Sequence, residues 1–325
     1  MFLFRKICTV FGVLLLIFSL SGCGVTELDG APYKAKNEKY LGLRDTKGNE
    51  IKLSKQPERI VSLTIRSDEL LWEMIDHKRI VALSKWANDP LISNIANQVG
   101  DMPLQNTISE ESIIALHPDL VIVSQSQPYD LIYRLRSLDI PVFVCPMPKT
   151  IKDSEKMILE LGVLLGASKN AEKIVSQMED RLQMIQEKLA GIPKEKRVMV
   201  YRFSISGGSG GKNSYFTDVC EQAGVINAAA EMNFWGTQLM PKEQIVNLNP
   251  DVVLLPTWDY NGKIDTEEYA RDILNDPSLQ TVKAIVNKRL YSIPDTHMLS
   301  SSQYMVEAVV DIYEACYGQG EPVFQ

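Results

Sequence analysis

The sequence ESIIALHPDLVIVS, residues 111–124, recurs in altered form as EQIVNLNPDVVLLP at residues 243–256. The copies lie 132 residues apart, a spacing that is too long for a solenoid repeat and suits a duplicated domain. The alternative is two unrelated helix–strand turns that are alike by chance. The residues that the copies share in register are Glu111 and Glu243, Ile113 and Ile245, Leu116 and Leu248, Pro118 and Pro250, and Asp119 and Asp251.

Each copy predicts a short helix, a tight turn and a strand. Ile113 and Leu116 have the i, i+3 spacing of one helical face, the following proline cannot continue the helix, and aspartate suits a turn. The runs DLVIVS and DVVLLP are continuous branched apolar segments, which is typical of strands that helices cover on both faces.

Further apolar runs alternate with helical patterns on both sides of the repeat. We predict strands at residues 59–64, 79–84, 119–124 and 141–145, and again at 197–201, 251–255 and 289–293. Strands that alternate with helices form βαβ units with parallel sheets. The chain is therefore predicted to be an α/β protein of two lobes, residues 41–150 and 193–325, each a mainly parallel sheet flanked by helices.

The segment between the lobes, residues 151–192, is predicted to be helical. It has apolar residues at helical spacing and no proline from Ile151 to Leu189. Gly166 and Ser168 allow a break into two helices. We interpret the longer part as a rigid helix that joins the two lobes and ends near Gly191.

The N-terminus is a targeting segment. Arg5 and Lys6 precede an apolar stretch at residues 7–20 that is too short to span a membrane. The sequence that follows, Leu20-Ser21-Gly22-Cys23, resembles the lipobox of bacterial lipoproteins. That resemblance implies a signal peptide at residues 1–22, a lipid on Cys23, a tether at 23–40 and a location outside the cytoplasmic membrane, in a periplasm or on a cell surface. The alternative is an ordinary signal peptide with an incidental cysteine.

The composition, net charge and cysteine spacing of the chain exclude several classes of partner and site. A hydrophobic content of 45% and a charged content of 23% are ordinary for a globular protein, and a net charge of −7 makes nucleic acid an unsuitable partner. Cys145, Cys220 and Cys316 follow the anchor without any CxxC spacing, so no disulfide framework or zinc ribbon is predicted. Cys220 and Cys316 either pair with each other or are small buried residues.

The chain resembles the substrate-binding lipoproteins of ATP-driven (ABC) importers, and within them the helical-backbone class that carries ferric siderophores, haem and cobalamin. The resemblance covers essentially the whole mature chain. It implies a monomeric binding protein without a cofactor, which captures a metal chelate between its lobes and delivers it to a dimeric ABC permease. One departure is that Ile65-Arg66 and Ile75-Asp76 stand where the family often has glycine. The matching pieces are RIVS at 59–62, SDELL at 67–71, RIVA at 79–82, both repeat copies, AGVIN at 223–227 and LSSS at 299–302.

Ligands of open parallel sheets bind beyond the carboxyl ends of the strands, which defines candidate cleft residues. Flat aromatic rings suit a large planar or greasy ligand, and arginines suit carboxylates. The alternative is that each tryptophan covers its own lobe's core and each arginine pairs with a neighbouring aspartate. The candidates are Arg66, Trp86, Gln127, Tyr129, Arg202, Trp235, Trp258 and His297.

The two candidate arginines favour an anionic ligand, so a ferric siderophore is the first choice, cobalamin the second and haem the third. A carrier of naked metal needs several converging ligands, and the chain has three histidines, of which His297 is a candidate axial ligand of a haem-like metal. A rival hypothesis is an enzyme that processes metal chelates on the same frame, and a second rival is a purely structural surface lipoprotein. The sequence lacks an HExxH motif, and we interpret the stretch GGSGG at residues 207–211, which has the G-x-S-x-G spacing, as a flexible cleft loop; both points disfavour the enzyme.

The repeat also suggests a docking surface. It places Glu111 and Glu243 in the first turns of equivalent helices, and the family resemblance implies that such paired charges meet the permease. If the register is off by one residue, Glu110 is the contact in the first lobe. The alternative explanation is that both acids are present because the helix dipole favours negative charge at a helix start.

Overall fold

The computed structural model describes residues 43–44, 50–51, 53–105, 108–205, 208, 210–232, 234, 239–299, 301–318 and 320–324. The predicted signal peptide, Cys23 with its tether, and Trp235 lie outside these residues. Within them, no helix is long and apolar enough to cross a bilayer.

The N-terminal lobe is built around a parallel sheet of five strands. Its order is β5-β4-β3-β6-β7, which confirms the parallel α/β prediction, although the short edge strand β5 has no counterpart among the predicted strands. The first two strands form a separate antiparallel pair. The elements in chain order are β1 (Leu43–Arg44), β2 (Glu50–Ile51), β3 (Ile60–Ser62), α1 (Ile65–Met74), β4 (Ile80–Ser84), β5 (Leu104–Gln105), α2 (Glu110–Ile114), β6 (Leu120–Ser124), α3 (Tyr129–Ser137) and β7 (Val142–Cys145).

Two helices, α4 (Ile151–Leu165) and α5 (Ser168–Leu189), form the segment between the lobes. Gly166 ends α4 in a left-handed conformation with φ of 66°, which glycine adopts without steric penalty. The linking segment is therefore divided at the predicted glycine, and α5, which is about 33 Å long at 1.5 Å per residue, is its longer part.

The C-terminal lobe repeats the plan with a parallel sheet of four strands in the order β11-β10-β8-β9. Three of its strands match predicted segments, and β9 is an additional two-residue strand. The elements are β8 (Met199–Arg202), α6 (Tyr215–Gln222), β9 (Ile226–Asn227), α7 (Ala228–Glu231), α8 (Lys242–Leu248), β10 (Val252–Leu255), α9 (Thr266–Asn275), α10 (Lys283–Val286), β11 (Leu290–Ser292), α11 (Asp295–Met298) and α12 (Met305–Tyr317).

Helix α5 contacts both lobes. Near its start, Asn170 Nδ2 donates to the carbonyl of Met74 at the end of α1, at 2.7 Å. Further along, Arg181 donates to both carboxylate oxygens of Glu307 in α12, at 2.9 and 2.6 Å. Buried side chains of α1, α5 and α12 also belong to one apolar core. Helix α5 therefore contacts elements of both lobes through hydrogen bonds and apolar packing.

The repeated aspartate has the same role in both lobes. Asp119 accepts hydrogen bonds from the backbone N–H groups of Glu58 at 2.9 Å and Arg59 at 2.7 Å, just before β3. Asp251 accepts from the N–H of Met199, the first residue of β8, at 2.9 Å. Each carboxylate therefore fixes the start of the neighbouring central strand, which explains why the repeat retains it.

The residue before each repeated proline is also equivalent. His117 has φ of 48° and Asn249 has φ of 50°, so both adopt the left-handed conformation that reverses the chain between helix and strand. His117 is thus a turn residue, like Asn249, with which it aligns.

Replacement of Asp119 by alanine tests the role of the carboxylate. The N–H groups of Glu58 and Arg59 lose their acceptor, so we expect Asp119→Ala to lower the free energy of unfolding by about 1–3 kcal/mol. Chemical denaturation measures the change. The control is Asp101→Ala, at an exposed turn position, which should have little effect. Equal stability of the two variants would contradict the role given to Asp119.

Candidate ligand-binding cleft

Three aromatic rings from the two lobes meet at the carboxyl ends of the strands. Trp86 follows β4, and Trp258 and Tyr260 follow β10. The ring centroids of Trp86 and Trp258 are 5.3 Å apart, those of Trp86 and Tyr260 5.1 Å, and those of Trp258 and Tyr260 5.9 Å. The structure therefore brings together the two predicted tryptophans that it describes, and adds a tyrosine to them.

A hydrogen bond joins the lobes beside these rings. Trp258 Nε1 donates to Asp89 Oδ2 at 3.2 Å, and Asp89 also accepts from the N–H of Leu91 at 3.0 Å. The cavity at this point has a volume of about 760 Å³, within the range of small-molecule sites. Its lining comes from residues 85–91 of one lobe and residues 257–267 of the other: Lys85, Trp86, Asp89, Leu91, Thr257, Trp258, Asp259, Tyr260, Asn261, Gly262, Ile264, Asp265, Thr266 and Glu267.

Buried carboxylates hold the loop that carries Trp258 and Tyr260. Asp295 accepts from the N–H of Thr257 at 2.8 Å and of Trp258 at 2.9 Å. Burial raises the pKa of Asp295, while these hydrogen bonds and the charge of Arg202 oppose the rise. Because the loop backbone is held at these points, its rings face the cleft without support from a ligand.

The same loop is closed by a second aspartate. Asp259 accepts from the N–H of Lys263 at 2.8 Å and of Ile264 at 3.1 Å. These backbone donors hold the pKa of Asp259 below its usual value, so the carboxylate is ionised at neutral pH.

The two predicted arginines make contacts within their own lobes. Arg66 is 4% exposed, and its guanidinium donates to the carbonyl of Pro146 and contacts Met147 sulfur at 3.0 Å. Arg202 lies over the ring of Phe216, with 5.4 Å from its guanidinium carbon to the ring centroid. Among the described residues that line the cavity, neither arginine is present. The described cavity lining therefore contains no arginine that could bind an anionic ligand.

The remaining predicted residues have other surroundings. Gln127 donates its backbone N–H to Ser124, and Tyr129, 60% exposed, stacks on Tyr133 at the start of α3. His297 Nδ1 lies 2.6 Å from Asp311 Oδ2. Neither Gln127, Tyr129 nor His297 is among the described residues lining the cavity, and their contact with a ligand stays a prediction.

The charge state of His297 follows from its neighbours. Burial by itself lowers the pKa of His297, but the hydrogen bond and charge of Asp311 outweigh it, and the pKa lies above its usual value. A histidine that is held in this way by a carboxylate is engaged within the C-terminal lobe. In the described part of the chain, no group of three or more metal-ligating side chains occurs.

Cys145, Cys220 and Cys316 are free and buried in the structure, in line with the interpretation of small apolar residues. Burial raises the pKa of all three thiols, so they are uncharged at neutral pH.

Comparison with known proteins identifies the family. The profile of the family described as "Periplasmic binding protein" matches residues 60–296, which include most of both lobes. The chain belongs to the periplasmic binding protein family.

Individual relatives extend the comparison. An uncharacterized ABC transporter substrate-binding lipoprotein of Bacillus subtilis, YvrC, is 25% identical over 314 residues, which cover 94% of this chain and 95% of that protein. A cobalamin-binding protein of Halobacterium salinarum is 27% identical over 212 residues, 65% of this chain and 57% of that protein. The molybdate-bound structure of MolA from Haemophilus influenzae has a TM-score of 0.70 at 19% identity, covers 85% of this chain and 91% of that chain, and shows the shared fold.

Several residues that line the cavity were not among the candidates predicted from the sequence. Lys85 precedes Trp86, and Asp89 and Tyr260 lie two or more residues beyond a predicted cleft tryptophan. The position of these residues just after strand ends was the available signal. The loops have no periodicity, so the sequence did not show which of their side chains face the cleft.

A second set of polar contacts joins the lobes. Glu69 of α1 is fully buried and accepts from Ser302 Oγ at 2.5 Å and from Asn94 Nδ2 at 2.8 Å. Asn94 Nδ2 also donates to the carbonyl of Thr296 at 2.8 Å. Ser302 and Thr296 belong to the C-terminal lobe, whereas Glu69 and Asn94 belong to the N-terminal lobe. These hydrogen bonds therefore help to fix the orientation of the two lobes.

Next to Glu69, Asp68 is buried beneath the Trp86 loop. It accepts from the N–H of Ser84 at 3.2 Å and from the Ser84 hydroxyl. Burial raises the pKa of Asp68 from 3.8 to about 7, although hydrogen bonds from Ser62 and Ser84 oppose the rise. A folded-state pKa above the unfolded value means that the folded protein binds more protons between about pH 4 and pH 7, so stability falls as pH rises through this window.

Asp68→Asn tests this titration. Asparagine keeps the shape and an acceptor for Ser84 but cannot ionise. We expect the wild type to lose stability relative to Asp68→Asn by roughly 1 kcal/mol per pH unit between about pH 4 and pH 7. Denaturation midpoints across this range provide the measurement. Asp101→Asn, at an exposed site, should follow the wild type, and a parallel profile for Asp68→Asn would show that Asp68 titrates at its ordinary pKa.

Proposed function

We propose that this protein captures a metal chelate in the interlobe cleft and delivers it to an ABC importer. The observation that supports the proposal is the cavity of about 760 Å³ to which both lobes contribute aromatic rings. Membership of the periplasmic binding protein family and the similarity to an ABC transporter substrate-binding lipoprotein along nearly the whole chain agree with it. A binding protein is favoured over an enzyme for the same reasons.

A ferric siderophore stays our first choice of ligand, with cobalamin and haem as alternatives. The reason is the size of the cavity. About 760 Å³ lies within the range of small-molecule sites and suits a chelate of several hundred daltons. The similarity to a cobalamin-binding protein keeps the second choice open.

Removal of the two facing tryptophans tests the cleft. The double variant Trp86→Ala, Trp258→Ala loses ring contacts from both lobes, so we expect binding of the chelate to weaken by about 1–3 kcal/mol, or roughly 5- to 150-fold in Kd. Calorimetry over ferric siderophores, cobalamin and haem measures the affinity, and recovery of the bound chelate unchanged separates binding from turnover.

The matched control is Trp72→Phe. Trp72 stacks on His77 with centroids 3.7 Å apart, outside the described lining of the cleft. This variant should bind as the wild type does. Unchanged affinity in the double variant would place the ligand elsewhere.

We also propose that Glu111 and Glu243 contact the permease. Both side chains are exposed, and each is the second residue of its helix, α2 or α8. Hydrogen bonds from its own backbone N–H and from Ser109 lower the pKa of Glu111, so it is ionised at neutral pH. Glu110 is paired with Arg134 at 3.3 Å, which favours Glu111 over Glu110 as the contact in the first lobe. A pair of equivalent charges, one on each lobe, suits a permease of two similar subunits.

Lipid attachment at Cys23 completes the proposal, because it keeps the protein at the membrane that holds its permease. The lipobox-like sequence at residues 20–23 and the similarity to a lipoprotein support it.

Charge reversal tests docking. We expect Glu111→Lys with Glu243→Lys to reduce chelate-stimulated ATPase activity of the reconstituted importer by roughly tenfold, most strongly at low salt, while chelate affinity stays unchanged. The control is Glu172→Lys with Glu195→Lys, which makes the same charge change at exposed sites elsewhere. In cells, palmitate labelling that is lost only in Cys23→Ser shows that the docking variants remain anchored. A collapse of chelate affinity would assign Glu111 and Glu243 to the cleft instead.

A further inference from the structure

We propose that the three rings of Trp86, Trp258 and Tyr260 form a subsite for a positively charged ammonium group of the ligand. We call these rings the aromatic cage. The inference rests on the proposed function, since it assigns a chemical feature to the ligand of the same cleft. It replaces the expectation of an anionic ligand, which relied on arginines that the structure places outside the described cavity lining.

The geometry of the aromatic cage carries the proposal. Trp258 contacts both other rings edge to face, at 85° to Trp86 and 88° to Tyr260, and so supports them from the side. The planes of Trp86 and Tyr260 are tilted by 49°, and both rings lie within about 6 Å of one point, the position of Lys85 Nζ. Aromatic ring faces carry negative potential and attract ammonium cations.

An ammonium group of the protein itself already lies at the cage. Lys85 Nζ is 4.1 Å from the ring centroid of Trp86 and 5.7 Å from that of Tyr260. Both distances lie within the range of about 6 Å for cation–π contacts. The rings therefore accept a cation of this size and charge in the protein's own structure.

Lys85 is well suited to be displaced. Its side chain is exposed, and no ion pair of its ammonium occurs among the residues that the structure describes. A flexible lysine stem can swing into water at little cost, since a cation–π contact at an exposed site is worth only about 0.5–1 kcal/mol. An ammonium group of a chelate whose other parts bind in the cleft can therefore displace the Lys85 ammonium from the rings.

Negative charge surrounds the cage. Four carboxylates line the described cavity, namely Asp89, Asp259, Asp265 and Glu267, whereas Lys85 is the one basic residue among the described lining. The pKa of Asp265 is lowered, like that of Asp259, because it accepts backbone hydrogen bonds, here from the N–H groups of Glu268 and Glu267. These ionised groups repel an anionic chelate and attract a cationic one.

A matched pair of chelates tests the inference. One is a linear ferric trihydroxamate with a free terminal amine, and the other is the same complex with that amine acetylated. The iron centre is neutral in both, so they differ in one ammonium charge. We expect the wild type to bind the amine form roughly tenfold more tightly by calorimetry, which is the upper part of the cation–π range.

Three variants separate the parts of the cage. Trp258→Ala with Tyr260→Ala should reduce the difference between the two chelates to less than about twofold. Lys85→Met removes the competing cation and should tighten binding of the amine form several-fold, with little effect on the acetylated form. Trp72→Phe should retain the tenfold preference.

The outcomes distinguish the cage from the proposed function. Equal binding of both chelates, or tighter binding of the acetylated one, overturns the cage and leaves chelate capture standing. If neither chelate binds, the hydroxamate class is excluded, and tetraethylammonium chloride then decides the cage by its effect on tryptophan fluorescence. Saturable quenching of tryptophan fluorescence by tetraethylammonium chloride, measured against sodium chloride at the same concentration, supports the cage if it is lost in Trp258→Ala with Tyr260→Ala. If the wild type shows no such quenching, the cage is overturned.

Discussion

The hydrogen bonds of the repeated aspartate fix the arrangement on which the cleft depends. Asp119 and Asp251 each bind backbone N–H groups at the start of the central strand of their lobe. This contact sets the register between β3 and β6 and between β8 and β10. Since the strands are parallel, a register fixed at the amino ends also fixes which residues emerge at the carboxyl ends, where Trp258 and its loop begin.

The two lobes then need a fixed orientation, which buried polar groups provide together with α5. A fully buried carboxylate is unfavourable unless it is hydrogen-bonded, so Glu69 holds its partners Ser302 and Asn94 firmly. Helix α5 adds apolar packing against both lobes. Separating the lobes would break the hydrogen bond from Ser302 to Glu69 and expose apolar surface that α5 and α12 bury, and this cost favours small adjustments of the cleft over wide opening.

The sequence was sufficient for the sheets but only partly for the cleft. Continuous apolar runs identified β3, β4, β6, β7 and β10, because a strand buried on both faces has few polar residues. The two-residue strands β5 and β9 were too short to give a pattern. Trp86 and Trp258 could be placed at the cavity from the sequence because each lies within three residues of a strand end. Arg66 lies on the first turn of α1, where its side chain turns inward to the end of β7, so it is not part of the described cavity lining.

The acidic character of the cleft follows from how its loops are built. Asp89, Asp259 and Asp265 each accept backbone N–H groups in turns or at a helix start, and a carboxylate is a strong acceptor for several such donors. Loop construction thus leaves acidic side chains around the rings of Trp86, Trp258 and Tyr260. A neutral residue at position 89, 259 or 265 would weaken the backbone hydrogen bonds of its loop and also lower the negative charge of the cleft. The shape of the cleft and its preference for positive charge therefore have one physical origin, the carboxylates that close its loops.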